Sequence, residues 1–179
     1  TITVAPAVID AIADTFGPIN GSTGATTASV LANDTLNGVA VNPSQVTLTG
    51  VTVPTGLTLN ANGTITIAPG TPAGTYTITY SICEVLNPTN CDQATATVTV
   101  APAVIDAVVD TYGPINGYTG STTASVLAND LLNGAVVIPS QVTLTSVTVP
   151  AGLTLNANGT ITIAPGTPAG TYTVTYTIA

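Results

Sequence analysis

The chain carries the same domain-sized sequence twice. Residues 5–83 align without gaps on residues 101–179 at an offset of 96 residues, and the two copies differ at 14 of 79 positions. The segment APAVIDA opens both copies, and GLTLNANGTITIAPGTPAGTYT recurs at Gly56 and Gly152. A period of this length exceeds the roughly 20 to 50 residues of a solenoid unit. It matches a small domain, so the sequence predicts two tandem copies of one fold.

The ends of the chain are out of phase with this repeat. Residues 1–4 (TITV) match residues 97–100 (TVTV), and Ala179 corresponds to Cys83. The predicted organisation is the last strand of a preceding repeat at 1–4, one repeat at 5–100 and an incomplete repeat at 101–179. Two interpretations are open. Either the chain is cut from a longer tandem array, or a strand of one copy completes the open repeat of the next, head to tail; that strand comprises Thr1, Ile2, Thr3 and Val4.

Alternation of small polar and apolar residues predicts strands throughout each repeat. Residues 75–82 (TYTITYSI) and 94–100 (ATATVTV) alternate at period two, which is typical of antiparallel sheets with one buried face. Asn62-Gly63 between apolar stretches indicates a hairpin turn, and Tyr76 and Tyr80 are expected to supply bulky core. The predicted fold class is all-β, with two tandem immunoglobulin-like antiparallel β-sandwich domains, the second lacking its last strand within this chain.

Charge excludes several functions. The chain has eight Asp and Glu residues and no Lys, Arg or His, which gives a formal charge of −8. Without cations it has no means of contacting nucleic acid phosphates or anionic lipid surfaces. Without His or Lys it cannot build the usual nucleophile–base pairs or a His-based zinc site. No stretch approaches 18 apolar residues, so membrane insertion is not expected.

The composition also argues against carboxylate catalysis and ice binding. A pair of carboxylates is the one catalytic arrangement that remains, but the six Tyr and one Phe fall mostly in the strand pattern and do not furnish a sugar-binding cleft. The chain is therefore predicted not to be an enzyme. Rows of Thr-x-Thr suggest ice binding, because a flat array of Thr is one way to bind ice. The strands of a twisted sandwich, however, do not present a flat array.

The two cysteines predict a disulfide. Cys83 and Cys91 lie between the strand that ends near Ile82 and the strand that begins near Ala94. A bond there would close a hairpin whose loop is residues 84–90, with a stabilisation of about 2 to 3 kcal/mol for so short a loop. Paired cysteines are typical of extracellular proteins, so an extracellular, cell-surface location is expected.

Six carboxylates occupy equivalent places in the two repeats, and no basic residue can neutralise them. Calcium, which takes oxygen ligands in extracellular modules, is the sharper hypothesis. The alternative is that the carboxylates lie at a domain junction or organise turns through hydrogen bonds to the backbone. No DxDxDG calcium loop is present and no other cofactor is indicated. The candidate ligands are Asp10, Asp14, Asn33 and Asp34, with Asp106, Asp110, Asn129 and Asp130 in the second repeat.

Three segments carry a family resemblance. VLANDTLNG at 30–38, VLANDLLNG at 126–134 and ICEVLNPTNCDQATATVTV at 82–100 resemble repeat modules of giant cell-surface adhesins of gliding Bacteroidota, related to bacterial cadherin-like and immunoglobulin-like repeats. The resemblance covers essentially the whole chain and implies secretion, long filamentous arrays and a role in adhesion or gliding. It also implies calcium at the acidic positions named above. O-glycosylation at Asp-Thr-apolar triplets is implied too, and would modify Thr35, Thr15 and Thr111.

The predicted function is structural. The chain is expected to be a repeat segment of a secreted cell-surface adhesin or filament, a rigid extracellular spacer whose Ala-Pro-Ala linkers at 5–7 and 101–103 are stiffened by proline. Expected partners are neighbouring repeats or copies of itself, with surface glycans or other cells beyond them. The alternatives are a filament subunit that polymerises through residues 1–4 and a calcium-dependent binding module.

Overall fold

The computed structural model describes all 179 residues, Thr1–Ala179. The chain divides into two compact units, Thr1–Pro102 (unit 1) and Ala103–Ala179 (unit 2). The strands of unit 1 are β1 (Ile9–Asp10), β2 (Asp14–Asn20), β3 (Ala25–Ser29), β4 (Thr35–Leu36), β5 (Val39–Ala40), β6 (Val46–Thr52), β7 (Leu57–Leu59), β8 (Thr64–Ile67), β9 (Gly74–Glu84) and β10 (Cys91–Ala101). The strands of unit 2 are β11 (Ile105–Asp106), β12 (Ser121–Ser125), β13 (Leu131–Leu132), β14 (Ala135–Val136), β15 (Leu144–Thr148), β16 (Leu153–Leu155), β17 (Thr160–Ile163) and β18 (Thr175–Ile178). Short 3-10 turns span Val30–Ala32, Pro43–Gln45, Val126–Ala128 and Pro139–Gln141.

Two sheets enclose the core of unit 1. One has the strand order β2-β10-β9-β6 and the other β3-β8-β7, and a small sheet β1-β4-β5 accompanies them. This order, with the last strand beside the first long one, is immunoglobulin-like and confirms the predicted all-β class. One pair of strands is an exception to the antiparallel arrangement. β10 runs parallel to β2, so the first and last long strands of the unit point the same way.

Alternation along β9 and β10 builds half of this core. The two strands pair without a register shift from Cys83 opposite Cys91 to Gly74 opposite Val100. Because successive side chains point to opposite faces, every second residue turns inward; these are Ile78, Tyr80, Ile82, Ala96, Val98 and Val100. Burying each of the larger apolar side chains contributes about 1.5 to 3 kcal/mol. Tyr80 is fully buried as expected, whereas Tyr76 is only half-buried.

Local sequence sets the connections. The amide of Gly63 donates to the Asn60 carbonyl at 2.9 Å in the turn between β7 and β8, where Gly63 has a φ of +83°. This is the predicted Asn-Gly hairpin. In the VLAND segment, the Ser29 hydroxyl accepts a hydrogen bond from the Leu31 amide at 3.2 Å and starts the turn Val30–Ala32, which buries Val30 and Leu31.

Unit 2 has the same arrangement with fewer strands. Its sheets are β12-β17-β16, β15-β18 and β11-β13-β14. Residues 110–116, the counterpart of β2, form no strand, and β18 begins at Thr175 although the counterpart of the first β9 residue is Gly170. The buried core shrinks from thirteen residues in unit 1 to four in unit 2. No strand of unit 2 occupies the place of β10, so the two segments that β10 would join lack their pairing partner.

Candidate functional site

A tyrosine hydroxyl surrounded by acceptors lies inside unit 1. The Tyr80 hydroxyl oxygen is 3.1 Å from Asp14 Oδ2 and 3.1 Å from Asp34 Oδ1. The carbonyl oxygens of Ile12 and Val30 are 3.0 and 3.4 Å away. A phenol has a single proton to donate, so it satisfies only one of these acceptors at a time.

The carboxyl group that does not accept the Tyr80 proton forms a hydrogen bond with the Tyr80 oxygen only when it is itself protonated. Burial, reinforced by the negative charge of Asp34, raises the pKa of Asp14 from 3.8 to about 6, against the lowering effect of hydrogen bonds from Tyr80 and Asn33. Burial also raises the pKa of Asp34, which is fully buried, and the charges of Asp10 and Asp92 act in the same direction. A protonated Asp14 can donate to the Tyr80 oxygen while Tyr80 donates to Asp34. Below about pH 6 the cluster therefore holds a proton, in a chain that has no Lys, Arg or His to neutralise it.

The VLAND segment positions this cluster. Asp34 Oδ1 accepts a hydrogen bond from the Ile12 amide at 2.7 Å, and the Asn33 side-chain amide lies 3.3 Å from the carbonyl oxygens of Ile12 and Ala13. These bonds hold the short segment in which the chain passes from β1, in one sheet, to β2, in another. This is the turn-organising role that the sequence left open beside calcium.

Unit 2 contains the same cluster in a more open setting. The Tyr176 hydroxyl donates toward Asp110 Oδ2 at 3.1 Å and Asp130 Oδ1 at 3.3 Å, and Asp130 accepts from the Val108 amide at 2.7 Å. Asn129 donates to the Val109 carbonyl at 3.3 Å. Asp130 is fully buried, but Tyr176 is half-buried where Tyr80 has no exposed surface.

The structure therefore brings together some of the candidate calcium ligands. Asp14, Asn33 and Asp34 lie around one turn, as do Asp110, Asn129 and Asp130, whereas the side chains of Asp10 and Asp106 are exposed. No group of three or more Cys, Asp or Glu side chains lies close enough together to hold a metal ion. Calcium binding stays a prediction.

The predicted disulfide is present, in the hairpin that contacts the N-terminal segment of unit 1. Cys83 and Cys91 are bonded across the end of the β9–β10 hairpin. In its loop, Glu84 Oε2 accepts hydrogen bonds from the Asn90 side chain at 3.0 Å and from the Ala7 amide at 3.2 Å. Asn90 also donates to the Ala7 carbonyl at 2.8 Å. Hydrogen bonds from Asn90, Asn87 and the Ala7 amide lower the pKa of Glu84.

This hairpin therefore holds the Ala-Pro-Ala linker at its last residue. Asp92, just after the second cysteine, continues the attachment by accepting from the Ala11 amide at 2.8 Å. Sequence reasoning missed these contacts. The one signal was the pair of acidic residues that flank the cysteines, Glu84 and Asp92, which cannot be neutralised by a salt bridge in this chain.

The remaining predicted positions lie at the surface or at its margin. Residues 1–4 form no strand and are exposed, with Ile2 91% and Val4 88% accessible. Thr15 and Thr111 are exposed and Thr35 is half-buried in β4, and their glycosylation stays a prediction. The structure contains no helix that is both long and apolar enough to span a membrane.

Comparisons with known proteins show no family for this chain and find only distant structural likenesses. No protein-family model matches it, and no curated protein does. A protocadherin gamma B4 extracellular domain is similar at 16% identity and a TM-score of 0.38, over 92% of this chain and 28% of that one. An endo-fucoidan hydrolase from glycoside hydrolase family 107 is similar at 14% identity and a TM-score of 0.37, over 97% and 26%. Human protocadherin-24 is similar at 16% identity and a TM-score of 0.27, over 75% and 78%.

The chain thus spans little more than a quarter of the first two of these structures. The assignment of an immunoglobulin-like fold rests on the strand order and register within unit 1.

The raised pKa of Asp14 predicts that unit 1 loses stability as pH rises. A carboxyl group with a pKa of about 6 when folded and 3.8 when unfolded stabilises the fold fully below pH 4, and this contribution is lost as pH rises through 6. Glu84, whose pKa is lowered, acts in the opposite sense and at lower pH. Asp14→Asn should raise the melting temperature at pH 7.5 by a few degrees and flatten its fall between pH 4 and 7, because the amide donates to Tyr80 at every pH.

Thermal melts of the variant across this pH range make the measurement. The matched control is Asp106→Asn, which removes the exposed carboxylate at the equivalent position of unit 2 and should keep the wild-type pH dependence of unit 1. An unchanged slope in Asp14→Asn would contradict the shared-proton arrangement.

Proposed function

We propose that this chain is a structural repeat segment of a secreted cell-surface adhesin or filament, and that each complete unit is a tension-bearing spacer. The observation that carries the proposal is the parallel pairing of β2 and β10, the first and last long strands of unit 1. Repetition of a single unit at a fixed period of 96 residues supplies length, and multivalent display converts weak contacts at a surface into avidity.

The parallel pairing suits a spacer for a mechanical reason. Tension along an array enters a unit at its N-terminal side and leaves at its C-terminal side. Because β2 and β10 run in the same direction, pulling their outer ends apart slides one strand along the other and loads the hydrogen bonds of the ladder together. An antiparallel hairpin pulled at its open end would instead lose its bonds one at a time.

The N-terminal segment of unit 1 is also held in place. Ala7, the last residue of the Ala-Pro-Ala linker, is bonded through its amide and its carbonyl to Glu84 and Asn90, and the Cys83–Cys91 disulfide closes the hairpin that carries both. Proline limits φ in the linker itself. The joint into unit 1 is therefore restrained by covalent and hydrogen bonds together.

Composition supports an extracellular setting for this role. A disulfide forms and persists in oxidising compartments. The absence of Lys and Arg leaves trypsin-like proteases no cleavage site, and the net charge of −8 keeps neighbouring fibres apart. Membership of gliding-type adhesins of the Bacteroidota, calcium at the acidic clusters and O-glycosylation of the three threonines belong to this proposal as its finer parts.

Surface display is the first expected outcome. Antibodies raised against Thr1–Ala179 should label intact cells that produce the protein. Proteinase K should remove the label from such cells, whereas trypsin should leave this segment uncut. A cytoplasmic protein labelled in parallel controls for cell lysis. Labelling that appears only after permeabilisation would overturn the proposed location.

Unequal mechanical strength of the two units is the second expected outcome. In single-molecule pulling of the chain from its two ends, unit 1 should unfold at a higher force than unit 2, which lacks the parallel ladder. The two events are told apart by reduction, because opening a disulfide between residues eight apart should lengthen only the unit 1 event, by about 2 to 3 nm at roughly 3.5 Å per residue. Equal unfolding forces would contradict a load-bearing role for β2 and β10.

A further inference from the structure

Unit 1 contains three Asn-Gly pairs, and each lies in or beside a turn. They are Asn20-Gly21, Asn37-Gly38 and Asn62-Gly63. Such a pair can react without an enzyme, because the glycine nitrogen can attack the asparagine Cγ and expel ammonia. Glycine favours this reaction, since it has no side chain to obstruct the five-membered ring that forms. Whether the folded chain permits the reaction depends on the contacts of each glycine amide and each asparagine side chain.

The three glycine amides differ in whether they are hydrogen bonded. The Gly21 amide donates to the Ala101 carbonyl and the Gly63 amide donates to the Asn60 carbonyl, both at 2.9 Å. The Gly38 amide donates to no acceptor and is exposed. Hydroxide ions therefore have access to its proton, which must be removed before the nitrogen can attack.

The space around these glycines differs in the same way. A Cβ added at Gly38 would meet no atom within 4 Å, whereas a Cβ at Gly63 would collide with the Ser29 hydroxyl. Asn37 and Gly38 form the two-residue turn between β4 and β5, with φ of +55° and +75°, which is the usual geometry of an Asn-Gly hairpin. Both residues are exposed, so water reaches the turn and the ring has room to form.

The side chain of Asn37 is activated for attack. Its Oδ1 accepts a hydrogen bond from the Val8 amide at 2.9 Å. Negative charge develops on this oxygen when a nucleophile adds to Cγ, and a backbone amide aimed at it stabilises that charge. Asn62 Oδ1 has a comparable donor, the Thr64 amide at 3.1 Å. The Asn37 and Asn62 sites therefore differ chiefly in their glycine amides.

We propose that Asn37 is a site of spontaneous covalent modification, at which the folded protein converts asparagine to aspartate and isoaspartate. Gly38 N loses its proton to hydroxide and bonds to Asn37 Cγ, and the Cγ–Nδ2 bond breaks as Nδ2 takes a proton from water and leaves as ammonia. A second water molecule opens the succinimide ring at one of its two carbonyl groups. One opening gives aspartate, and the other gives isoaspartate, whose backbone runs through the former side chain.

Unit 2 has the same arrangement at Asn133. Its Oδ1 accepts a hydrogen bond from the Val104 amide at 2.9 Å. The Gly134 amide donates to no acceptor, and a Cβ at Gly134 would meet no atom within 4 Å. The site therefore recurs at the 96-residue period of the sequence, once in each unit.

Isoaspartate at this site releases the N-terminal segment of the unit. Asn37 holds Val8 through two hydrogen bonds, because its own amide also donates to the Val8 carbonyl at 2.7 Å. Isoaspartate lengthens the backbone by a methylene group within the two-residue turn that sets the pairing of β4 with β5, and so displaces both bonds. The segment that follows the Ala-Pro-Ala linker thus loosens as the protein ages, an effect that goes beyond the proposed spacer role.

Ageing of the folded chain at mildly alkaline pH tests the proposal, with Asn62 as a control inside the same molecule. Digestion with pepsin, which does not need Lys or Arg, followed by mass spectrometry gives the fraction converted at each pair. Asn37 and Asn133 should convert about three- to tenfold faster than Asn62, which is the factor that one amide hydrogen bond contributes. In denaturant all three should convert at similar rates, because no fold then distinguishes them.

The variant Asn37→Asp separates the new charge from the change in the backbone. Purified wild type with isoaspartate at position 37 should exchange amide hydrogens faster at residues 7–12, whereas Asn37→Asp should keep the slow exchange of fresh wild type. The proposal is overturned if Asn62 converts as fast as Asn37 in the folded chain, or if the isoaspartate form exchanges like Asn37→Asp. Surface labelling and pulling of fresh protein do not depend on these results, so the spacer role is tested separately.

Discussion

The pairing of β10 with both β2 and β9 is the interaction on which the rest of the structure depends. Where it is present, in unit 1, the sandwich closes over thirteen buried residues. Where no strand takes that position, in unit 2, the segment corresponding to β2 forms no strand and the buried hydrophobic core has four residues. The two units share most of their sequence, so the difference arises from the neighbouring strand and not from local preference. Closure of the core follows from this one strand, and so does the load-bearing role that we propose for it.

The acidic cluster is the second constraint, because its carboxyl groups are buried in a chain that has no cationic side chain to neutralise them. Asp34 is fully buried and is satisfied by the Ile12 amide and the Tyr80 hydroxyl. Asp14 approaches the same hydroxyl and keeps a proton up to about pH 6. This arrangement fixes the crossing between β1 and β2 and so sets where β2 begins. It also makes the start of β2 sensitive to pH near 6, whereas a salt bridge to Lys or Arg would lower the carboxyl pKa and move that sensitivity to more acidic pH.

Much of the fold could be predicted from the sequence, but the site could not. Alternation identified β9 and β10, and the Asn62-Gly63 pair identified the hairpin between β7 and β8, because these signals are local. β2 was not identified, since its sequence DTFGPIN does not alternate and becomes a strand only beside β10. The meeting of Asp14, Asp34 and Tyr80 was missed for a similar reason. Tyr80 was expected to lie in the core. Its hydroxyl contacts Asp34 and Asp14, which precede it in the sequence by 46 and 66 residues, and the order of the strands in the sheets brings them together.

Hydrogen exchange of the chain Thr1–Ala179 tests the central claim most directly, because residues 14–20 and 110–116 have nearly the same sequence and differ in whether β10 lies beside them. The account predicts slow exchange of the amides at 14–20 and exchange close to that of an unstructured peptide at 110–116. Equal protection of the two segments would contradict it, since unit 2 would then close without a strand in the β10 position.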